Sequence, residues 1–298
     1  MTTRNDMSGK VVVVTGATSG IGRASVLELA GRGAIIIGVG RSPERCAEAE
    51  AAVKAAGRGI EAAFLTCDLS SLKQVRDLAR EILALAARWA ENRIDCLINN
   101  AGTFSSWYTV TAEGFELQLA VNHLAPFLLT HELIGALRAS PAGRIISVTS
   151  SSHYNTWMPW NDIQLRKHYN SLWAYKRSKL ANVLFIRELD RRLGQDSTVR
   201  AFAADPGLVN TDIGLKGTDG ITRWIWSARQ QKGAAVEAGA ATSVFLASEP
   251  SVQNSRELYW KDCRSRLSSR YSRRPEHAER LWKMSERMCG IDSADYGL

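Results

Sequence analysis

A tyrosine and a lysine lie four residues apart in the segment from Ser171 to Asn182. This segment reads as a helix, in which residues i and i+4 share one face, so Tyr175 and Lys179 should point into the same space. A neighbouring ammonium stabilises a phenolate and lowers a phenol pKa from its free value of about 10. Such a pair is suited to general acid and base chemistry on an alcohol or a carbonyl. Most pairs with this spacing are ordinary neighbours on a helix surface, so the chemistry needs support from the rest of the chain.

Short apolar segments alternate with helical patterns along the first two thirds of the chain. Strands are predicted over residues 11–14, 34–39, 63–66, 94–98, 144–148 and 199–203, and helices over residues 21–31, 44–56, 72–90, 112–138 and 174–194. Continuous apolar strands that alternate with helices are typical of a parallel sheet covered on both faces. We therefore expect one doubly wound α/β domain over residues 1–298, with a cofactor-binding and catalytic core at 9–212 and a C-terminal extension at 213–298.

Composition excludes several classes of protein. Hydrophobic residues make up 45% of the 298 residues, which is ample for a sizeable core. The five cysteines are widely spread and form no C-x-x-C pair, which argues against a disulfide framework or a structural zinc site. The five histidines show no ligand spacing, so we expect no metal. Residues 1–10 are polar and no apolar run reaches the roughly 18 residues of a membrane span, so we expect a cytoplasmic protein.

The net charge of +8 makes a nucleic-acid binder an alternative. Most of the excess lies in residues 256–287, where ten Lys and Arg residues accompany five Asp and Glu residues. No array of base-stacking aromatic residues and no nucleic-acid module accompanies this charge. We therefore expect no nucleic-acid partner and interpret the basic segment as a solvated helix.

A glycine-rich segment follows the first predicted strand and opens the first predicted helix. Its glycines allow a tight turn, a close approach of the backbone to a pyrophosphate and close packing of helix on strand. The helix N-terminus offers unpaired N–H groups and a positive dipole end to the phosphates. We expect a dinucleotide to contact Gly16, Thr18, Ser19, Gly20, Ile21 and Gly22.

The end of the second predicted strand indicates which dinucleotide binds. A carboxylate there would hold the ribose diol of NAD. This chain instead has Gly40, followed by Arg41 and Ser42. An arginine is suited to pair with a 2′-phosphate. We therefore predict NADP(H) rather than NAD(H) as the cofactor, with Arg41 as its phosphate contact.

Three further loops follow predicted strands, at the edge where open α/β sheets bind ligands. The loop after the strand at 63–66 is placed to meet an adenine. The loop after the strand at 94–98 has small residues where the cofactor passes close to the backbone, and the loop after the strand at 199–203 has a rigid turn and a hydroxyl. The cofactor contacts expected in these loops are Asp68, Leu69, Asn99, Ala101, Gly102, Pro206, Gly207, Val209 and Thr211.

Together these motifs resemble the short-chain dehydrogenase/reductase superfamily. The matching segments are the glycine motif at 15–22, Asn-Asn-Ala-Gly at 99–102, Tyr-x-x-x-Lys at 175–179 and Pro-Gly at 206–207. Residues 111–130 and 259–263 are especially similar to the retinol dehydrogenase-like branch of the family. The resemblance runs from about residue 10 to residue 211. It implies a single Rossmann-type domain with a variable C-terminal substrate region, and an oxidoreductase that interconverts a carbonyl and an alcohol.

The resemblance also implies a catalytic tetrad of Asn122, Ser150, Tyr175 and Lys179. Thr149, Ser151 and Ser152 are alternatives to Ser150. By this resemblance Tyr175 gives a proton to the carbonyl oxygen as hydride reaches the carbonyl carbon from NADPH, and Ser150 polarises the carbonyl through a hydrogen bond. Lys179 lowers the pKa of Tyr175 and bonds the nicotinamide ribose, so both residues also count as cofactor contacts. Asn122 holds a water that links Lys179 to solvent.

Aromatic residues near the tetrad predict the substrate class. Those between the serine run and Tyr175 are accompanied by a methionine and a proline: Tyr154, Trp157, Met158, Pro159, Trp160, Tyr169 and Trp173. Trp224 and Trp226 lie in a later segment that family position makes a lid. Aromatic-lined clefts favour apolar ligands, so we expect a bulky lipophilic ketone, aldehyde or secondary alcohol. The alternative is that these aromatic side chains only close the local core.

Three more expectations follow from the resemblance. Family members pair through the helices predicted here at 112–138 and 174–194, so we expect a homodimer or homotetramer. The retinol dehydrogenase-like branch often carries an N-terminal membrane anchor, which residues 1–10 do not resemble. A bacterial-style reductase is therefore at least as consistent with this sequence as a retinoid enzyme. The alternative function is a non-catalytic NADP(H) sensor of the same fold. Such sensors commonly lose the tyrosine or the lysine, and this chain keeps both.

Overall fold

The computed structural model describes residues 6–57, 59–207 and 235–298. One sheet contains the strands β1 (Val11–Thr15), β2 (Ile35–Gly40), β3 (Ala62–Thr66), β4 (Cys96–Asn99), β5 (Arg144–Val148), β6 (Arg200–Asp205), β7 (Tyr259–Lys261) and β8 (Arg264–Ser265). Their order is β3-β2-β1-β4-β5-β6-β7-β8, and neighbouring strands are parallel except for β7 with β8. All six predicted strands are present, and the predicted doubly wound α/β fold is confirmed.

Helices cover both faces of this sheet because successive strand residues point to opposite sides. The described helices are α1 (Gly20–Ala30), α2 (Pro43–Gly57), α3 (Leu72–Ala90), α4 (Leu117–Leu119), α5 (Ala125–Arg138), α6 (Ser171–Leu193), α7 (Val236–Ser248) and α8 (Pro275–Cys289). In β1, Val11 and Val13 belong to the core closed by α3, α5 and α6. Val12 and Val14 belong to the core closed by α1 and α7. The strand β1 is therefore buried on both sides, whereas β3 at the end of the sheet is only partly buried.

The helix predicted over residues 112–138 is wrong at its start and in its first turns. The helix begins at Leu117, because the Glu116 carboxylate accepts hydrogen bonds from two backbone N–H groups of the first turn and caps it. A π-helical turn at Ala120–Leu124 then joins α4 to α5. Such turns are often found at functional sites, and this one carries a predicted catalytic residue.

The prediction that the basic C-terminal helix is solvated is wrong, because one face of the helix is buried. The helix α8 is present, but one of its faces buries Ala278, Leu281, Trp282, Ser285 and Cys289. Trp282 is 1% exposed, and its ring centre lies 5.0 Å from that of Phe127 and 5.9 Å from that of Phe185. Apolar residues at helical spacing form this stripe, while the abundant charges occupy the rest of the helix surface.

The helix α8 packs against α6, one of the two helices expected to pair in a homodimer or homotetramer, and Trp282 also contacts α5. The oligomeric state stays a prediction. The division near residue 212 falls outside the described residues and also stays a prediction. In the ranges that the structure describes, no helix is long and apolar enough to span a membrane.

Candidate active site

The predicted tyrosine and lysine share one face of α6. The side chain of Asn170 accepts a hydrogen bond from the Trp173 backbone N–H at 2.9 Å and so caps this helix. One turn further on, the Lys179 Nζ lies 5.7 Å from the centre of the Tyr175 ring. Tyr175 is 8% exposed and packs against Phe104, with ring centres 6.0 Å apart. The i, i+4 spacing therefore brings the phenol and the ammonium together as predicted.

Lys179 is almost fully buried, with 3% of its surface exposed. Its Nζ donates a hydrogen bond to the Val148 carbonyl oxygen at 3.0 Å, which links α6 to the end of β5. Burial lowers the pKa of Lys179 to about 8, and the nearby Asp205 carboxylate opposes that shift. The site thus holds a cation that gives up its proton more readily than an exposed lysine.

Two hydroxyls of the serine run bond to the surrounding protein. Thr149 is buried and donates to the Lys179 carbonyl oxygen at 2.9 Å. Ser151 donates to the Asp205 carboxylate. These two alternatives to Ser150 are therefore tied to scaffold groups.

Ser150 caps the short 3₁₀ helix Ser151–His153 at the carboxyl end of β5. Its Oγ accepts from the Ser152 backbone N–H at 3.1 Å and donates to the Ser152 Oγ at 3.1 Å. The Ser150 carbonyl oxygen bonds to the His153 Nδ1 at 2.8 Å. Ser150 and Ser152 are partly buried and Ser151 is exposed, so their hydrogen-bond partners distinguish the three serines and their burial does not.

Asn122 lies in the π-helical turn and is fully buried. Its Oδ1 accepts from the Thr103 backbone N–H at 2.7 Å, and its Nδ2 donates to the Thr103 carbonyl oxygen at 3.0 Å. The same Nδ2 donates to the Ser178 Oγ at 2.9 Å, and Ser178 donates to the Tyr175 carbonyl oxygen at 2.8 Å. Asn122 therefore joins the loop after β4 to the helical turn that carries Tyr175.

The glycine loop packs directly on the end of β4. Gly16 has a φ of +67°, and a Cβ atom there would lie 2.9 Å from the Ala101 Cα. At Gly22 a Cβ atom would lie 2.2 Å from the Gly16 carbonyl oxygen and 2.5 Å from the Asn100 Nδ2. That amide donates to the Thr15 carbonyl oxygen at 2.9 Å. Backbone without side chains therefore lines this part of the edge, as a pyrophosphate site requires.

The N-terminus of α1 has no side-chain cap within the described residues, unlike the N-termini of α3 and α6. Ser19 occupies the cap position but makes no side-chain cap hydrogen bond to a described residue. In contrast, Ser71 caps α3 and Asn170 caps α6 through their side chains. The first N–H groups of α1 are consequently available to an anion.

The end of β2 has no room for the carboxylate of an NAD-binding site. A Cβ atom at Gly40 would lie 2.4 Å from the Thr18 Cγ2 and 2.7 Å from the Cys46 Sγ. Arg41 follows immediately and is exposed. The position therefore offers a cation and no anion.

The remaining predicted contacts lie along the same edge. Asp68 accepts from the Ser70 backbone N–H at 3.0 Å, within the turn before α3. Asn99 donates to the Thr130 Oγ1 at 3.1 Å, while its buried Oδ1 has no hydrogen-bond partner among the described residues. The other described candidates are partly buried: Thr18, Ser19, Gly20, Ile21, Leu69, Ala101, Gly102, Pro206 and Gly207. The predicted contacts Val209 and Thr211, and the Trp224 and Trp226 segment, lie outside the described residues.

Four of the residues expected to line the cleft lie in two different surroundings. Met158 and Trp160 pack with Leu281 in a core between α6 and α8, so for them the local-core alternative holds. Trp157 and Trp173 contact each other with ring centres 4.5 Å apart, at the entrance to α6.

Several residues of the site have contacts that sequence patterns do not predict. Thr15 and Asn100 are members of the motifs and Asp205 directly precedes Pro206, but their spacing gave no sign of what they bond. Ser178 and Phe104 carried no signal, because their contacts come from α6 packing against the loop after β4. No group of three or more His, Cys, Asp or Glu side chains in the described ranges could hold a metal ion.

Comparisons with known proteins identify the family. The short chain dehydrogenase family model matches residues 10–220. Human retinol dehydrogenase 12 is 36% identical over 289 residues, 97% of this chain and 89% of the human protein. Bovine retinol dehydrogenase 12 is 37% identical over 283 residues, 95% of this chain and 87% of the bovine protein.

Solved structures have a similar fold. A protein from Mycobacterium paratuberculosis is 28% identical with a TM-score of 0.75, and the match covers 96% of each chain. A short chain dehydrogenase from Burkholderia cenocepacia J2315, in complex with NADP, has a TM-score of 0.68 at 24% identity, over 86% of this chain and 97% of that chain. This chain belongs to the short-chain dehydrogenase family and is retinol dehydrogenase-like. It is an oxidoreductase that interconverts alcohols and carbonyls with a nicotinamide cofactor.

Proposed function

We propose that this protein is an NADP(H)-dependent oxidoreductase of bulky lipophilic carbonyls and alcohols, with Tyr175 as the general acid and base. The observation that carries the proposal is the Lys179 Nζ, buried and 5.7 Å from the centre of the Tyr175 ring. The names of the relatives, retinol dehydrogenases 12 and 14, support a lipophilic substrate.

A nicotinamide dinucleotide fits the residues at this edge. The glycine backbone around Gly16 and Gly22 has no room for side chains, and the buried Asn99 Oδ1 is an acceptor without a partner among the described residues. Gly40 and Arg41 favour a 2′-phosphate over a free ribose diol. The N-terminus of α1 would hold the pyrophosphate, and Arg41 the 2′-phosphate. When bound, the cofactor supplies or accepts the hydride.

The side chains of the tetrad then have distinct roles in reduction. Tyr175 donates its proton to the substrate oxygen, and Ser150 stabilises the charge that develops there by a hydrogen bond. Lys179, anchored on the Val148 carbonyl oxygen, stabilises the phenolate left behind. Asn122 holds the turn of α6 below Tyr175 through Ser178. Oxidation of an alcohol uses the same groups in reverse.

The function is tested by Tyr175→Phe, with Tyr108→Phe as the control on an exposed tyrosine. Both variants and the wild type are assayed with NADPH on a panel of lipophilic ketones and aldehydes that includes retinal, and NADPH binding is measured by fluorescence. Because general acid catalysis is lost, we expect kcat/KM to fall roughly 1,000-fold in Tyr175→Phe, with NADPH affinity kept.

Wild-type activity in Tyr175→Phe would contradict the mechanism. A wild type that binds NADPH tightly but turns over none of the panel would favour the NADP(H) sensor instead.

A further inference from the structure

Asp205 ends β6 and is 1% exposed. Its Oδ1 accepts from the Gly207 backbone N–H at 2.9 Å. Its Oδ2 accepts from the hydroxyl of Ser151 and from the hydroxyl of Tyr259, the latter at 2.5 Å. One carboxylate thus contacts three segments: the turn after β5, the turn after β6, and β7.

The sheet topology explains why these segments meet at Asp205. The strand β6 lies between β5 and β7 and is parallel to both, with Val148 opposite Ala204 and Lys261 opposite Asp205. The residue that ends β6 therefore lies between the carboxyl ends of its two neighbours. A buried carboxylate needs hydrogen-bond donors, and here they come from the turn after β5, the turn after β6 and the first residue of β7.

The turn that Asp205 holds is the one that carries Ser150. Ser151 follows Ser150 directly and is bonded to Asp205. Two residues later, the His153 Nε2 accepts from the Ser269 backbone N–H at 3.1 Å, so its Nδ1 carries the proton that is donated to the Ser150 carbonyl oxygen. Thr149, directly before Ser150, donates to the Lys179 carbonyl oxygen, so residues before and after Ser150 are fixed to other parts of the fold.

On its other side, Asp205 holds the turn expected to contact the cofactor. Its bond to the Gly207 N–H stabilises a backbone with a φ of +74°, directly after Pro206. The same charge acts on Lys179, where it opposes the fall in pKa that burial causes. The titratable and charged groups facing Asp205 are His153 and Tyr154 after β5, Tyr259 and Lys261 on β7, and Lys179 on α6.

We infer that Asp205 is a positioning residue that fixes the Ser150 turn relative to the Pro206–Gly207 turn and holds a negative charge near Lys179. This inference rests on the proposed function, since it gives those two turns their roles. Asparagine at this position keeps the shape and an acceptor for Gly207. It removes the charge and faces the hydroxyls of Ser151 and Tyr259 with an amide N–H₂.

The inference is tested by Asp205→Asn, with Asp95→Asn as the matched control. Asp95 is also buried, and it accepts from the Val11 backbone N–H at 2.9 Å and from the Ser140 hydroxyl at 2.7 Å, at the opposite edge of the sheet. NADPH dissociation constants, thermal stability, and the pH dependence of kcat and KM are measured for both variants.

For Asp205→Asn we expect the NADPH dissociation constant to rise roughly 10-fold, as the loss of charge-assisted hydrogen bonds predicts. The alkaline limb of the kcat/KM profile should move to lower pH, because Lys179 loses the charge that opposes its deprotonation. Asp95→Asn should lower thermal stability and leave the dissociation constant and the pH profile as in the wild type.

If Asp205→Asn and Asp95→Asn lose stability alike and both keep the wild-type NADPH affinity and pH profile, Asp205 is structural and the inference fails. If Asp205→Asn does not fold, Ser151→Ala with Tyr259→Phe removes both Oδ2 donors, and unchanged NADPH affinity in that double variant would overturn the inference. The proposed function fails separately, on an active Tyr175→Phe, while NADPH binding to Asp205→Asn still reports on Asp205.

Discussion

Buried aspartates lie at both edges of the central sheet, Asp95 at the amino ends of the strands and Asp205 at the carboxyl ends. Asp95 lies 3.2 Å from the Arg93 Nε and 4.0 Å from the Lys10 Nζ, so cations balance its charge. Asp205 forms no ion pair with a described residue and is held by two hydroxyls and a backbone N–H. Arg93 and Lys10 therefore neutralise the charge of Asp95, whereas the charge of Asp205 acts on Lys179.

The same contrast extends to the groups around each aspartate. At the amino edge, Arg144 donates to the Leu246 carbonyl oxygen at 2.7 Å and Arg200 donates to the Gln253 carbonyl oxygen at 3.0 Å. At the carboxyl edge, the Asn99 Oδ1 has no partner among the described residues, and burial lowers the pKa of Lys179. A buried amide oxygen without a described partner is present at both edges, Gln253 Oε1 at one and Asn99 Oδ1 at the other, so the buried Lys179 is what sets the carboxyl edge apart. We expect this lysine to cost stability.

The largest effect that would test this contrast is expected from Gly22→Ala. A Cβ atom there would lie 2.2 Å from the Gly16 carbonyl oxygen, so the glycine loop must open. We expect the NADPH dissociation constant to rise more than about 100-fold, since the backbone can no longer approach the pyrophosphate.

Gly135→Ala in α5 is the control, because its Cβ would meet nothing within 4 Å. It should keep the affinity and stabilise the fold by roughly 0.5–1 kcal/mol. Wild-type NADPH affinity in Gly22→Ala would refute the assignment of the glycine loop as the pyrophosphate site.

A second test asks whether the carboxyl edge costs stability, by comparing the wild type with Lys179→Met. At pH 7 the folded wild type carries a buried ammonium whose pKa is lowered to about 8. This shift corresponds to about 3 kcal/mol, and loss of the bond to Val148 offsets roughly 1 kcal/mol, so the variant should be about 2 kcal/mol more stable.

The pH dependence of this gain has a defined sign. Between the folded pKa of about 8 and the ordinary value of 10.5, the unfolded wild type binds a proton that the folded form does not. The wild type therefore gains stability as pH rises through this window, and the advantage of Lys179→Met should shrink. Chemical denaturation at pH 7, 9 and 10.5 measures it, with the exposed Lys54→Met as the control. A variant less stable than the wild type at pH 7 would show that the lysine stabilises the edge.

The smallest effect is expected from Arg41→Ala, at the exposed rim of the carboxyl edge. Loss of one charge-assisted contact to a 2′-phosphate should reduce the preference for NADPH over NADH, measured as a ratio of kcat/KM values, roughly 10-fold. Arg88→Ala is the control, since Arg88 is exposed in the last turn of α3, which leads back to the amino edge. An unchanged ratio in Arg41→Ala would contradict the predicted NADP(H) preference.

Local features of the fold were predictable from the sequence. The apolar runs that became β1 to β6 carry their own signal, because a strand in a sheet covered on both faces is mostly apolar. Tyr175 and Lys179 are neighbours through helix geometry alone. The many charged residues of α8 misled the prediction, because they obscured the helical spacing of the apolar residues around Trp282.

Contacts across long chain separations were not predictable. Phe104 meets Tyr175, His153 bonds to the Ser269 backbone, and Tyr259 bonds to Asp205, each through packing of separate elements. The start of α4 at Leu117 depends on capping by Glu116, which the helical pattern of residues 112–138 conceals.

By itself, the sequence determined the parallel α/β fold, the glycine turn of the cofactor edge and the pairing of Tyr175 with Lys179. Each of these depends on residues a few positions apart, where backbone geometry sets the distances. Only the tertiary structure decided which groups the hydroxyls of Thr149, Ser150 and Ser151 bond to. It also decided that Asp205 joins the turn after β5 to the turn after β6. Those contacts depend on the order of strands in the sheet, which no single segment of the chain encodes.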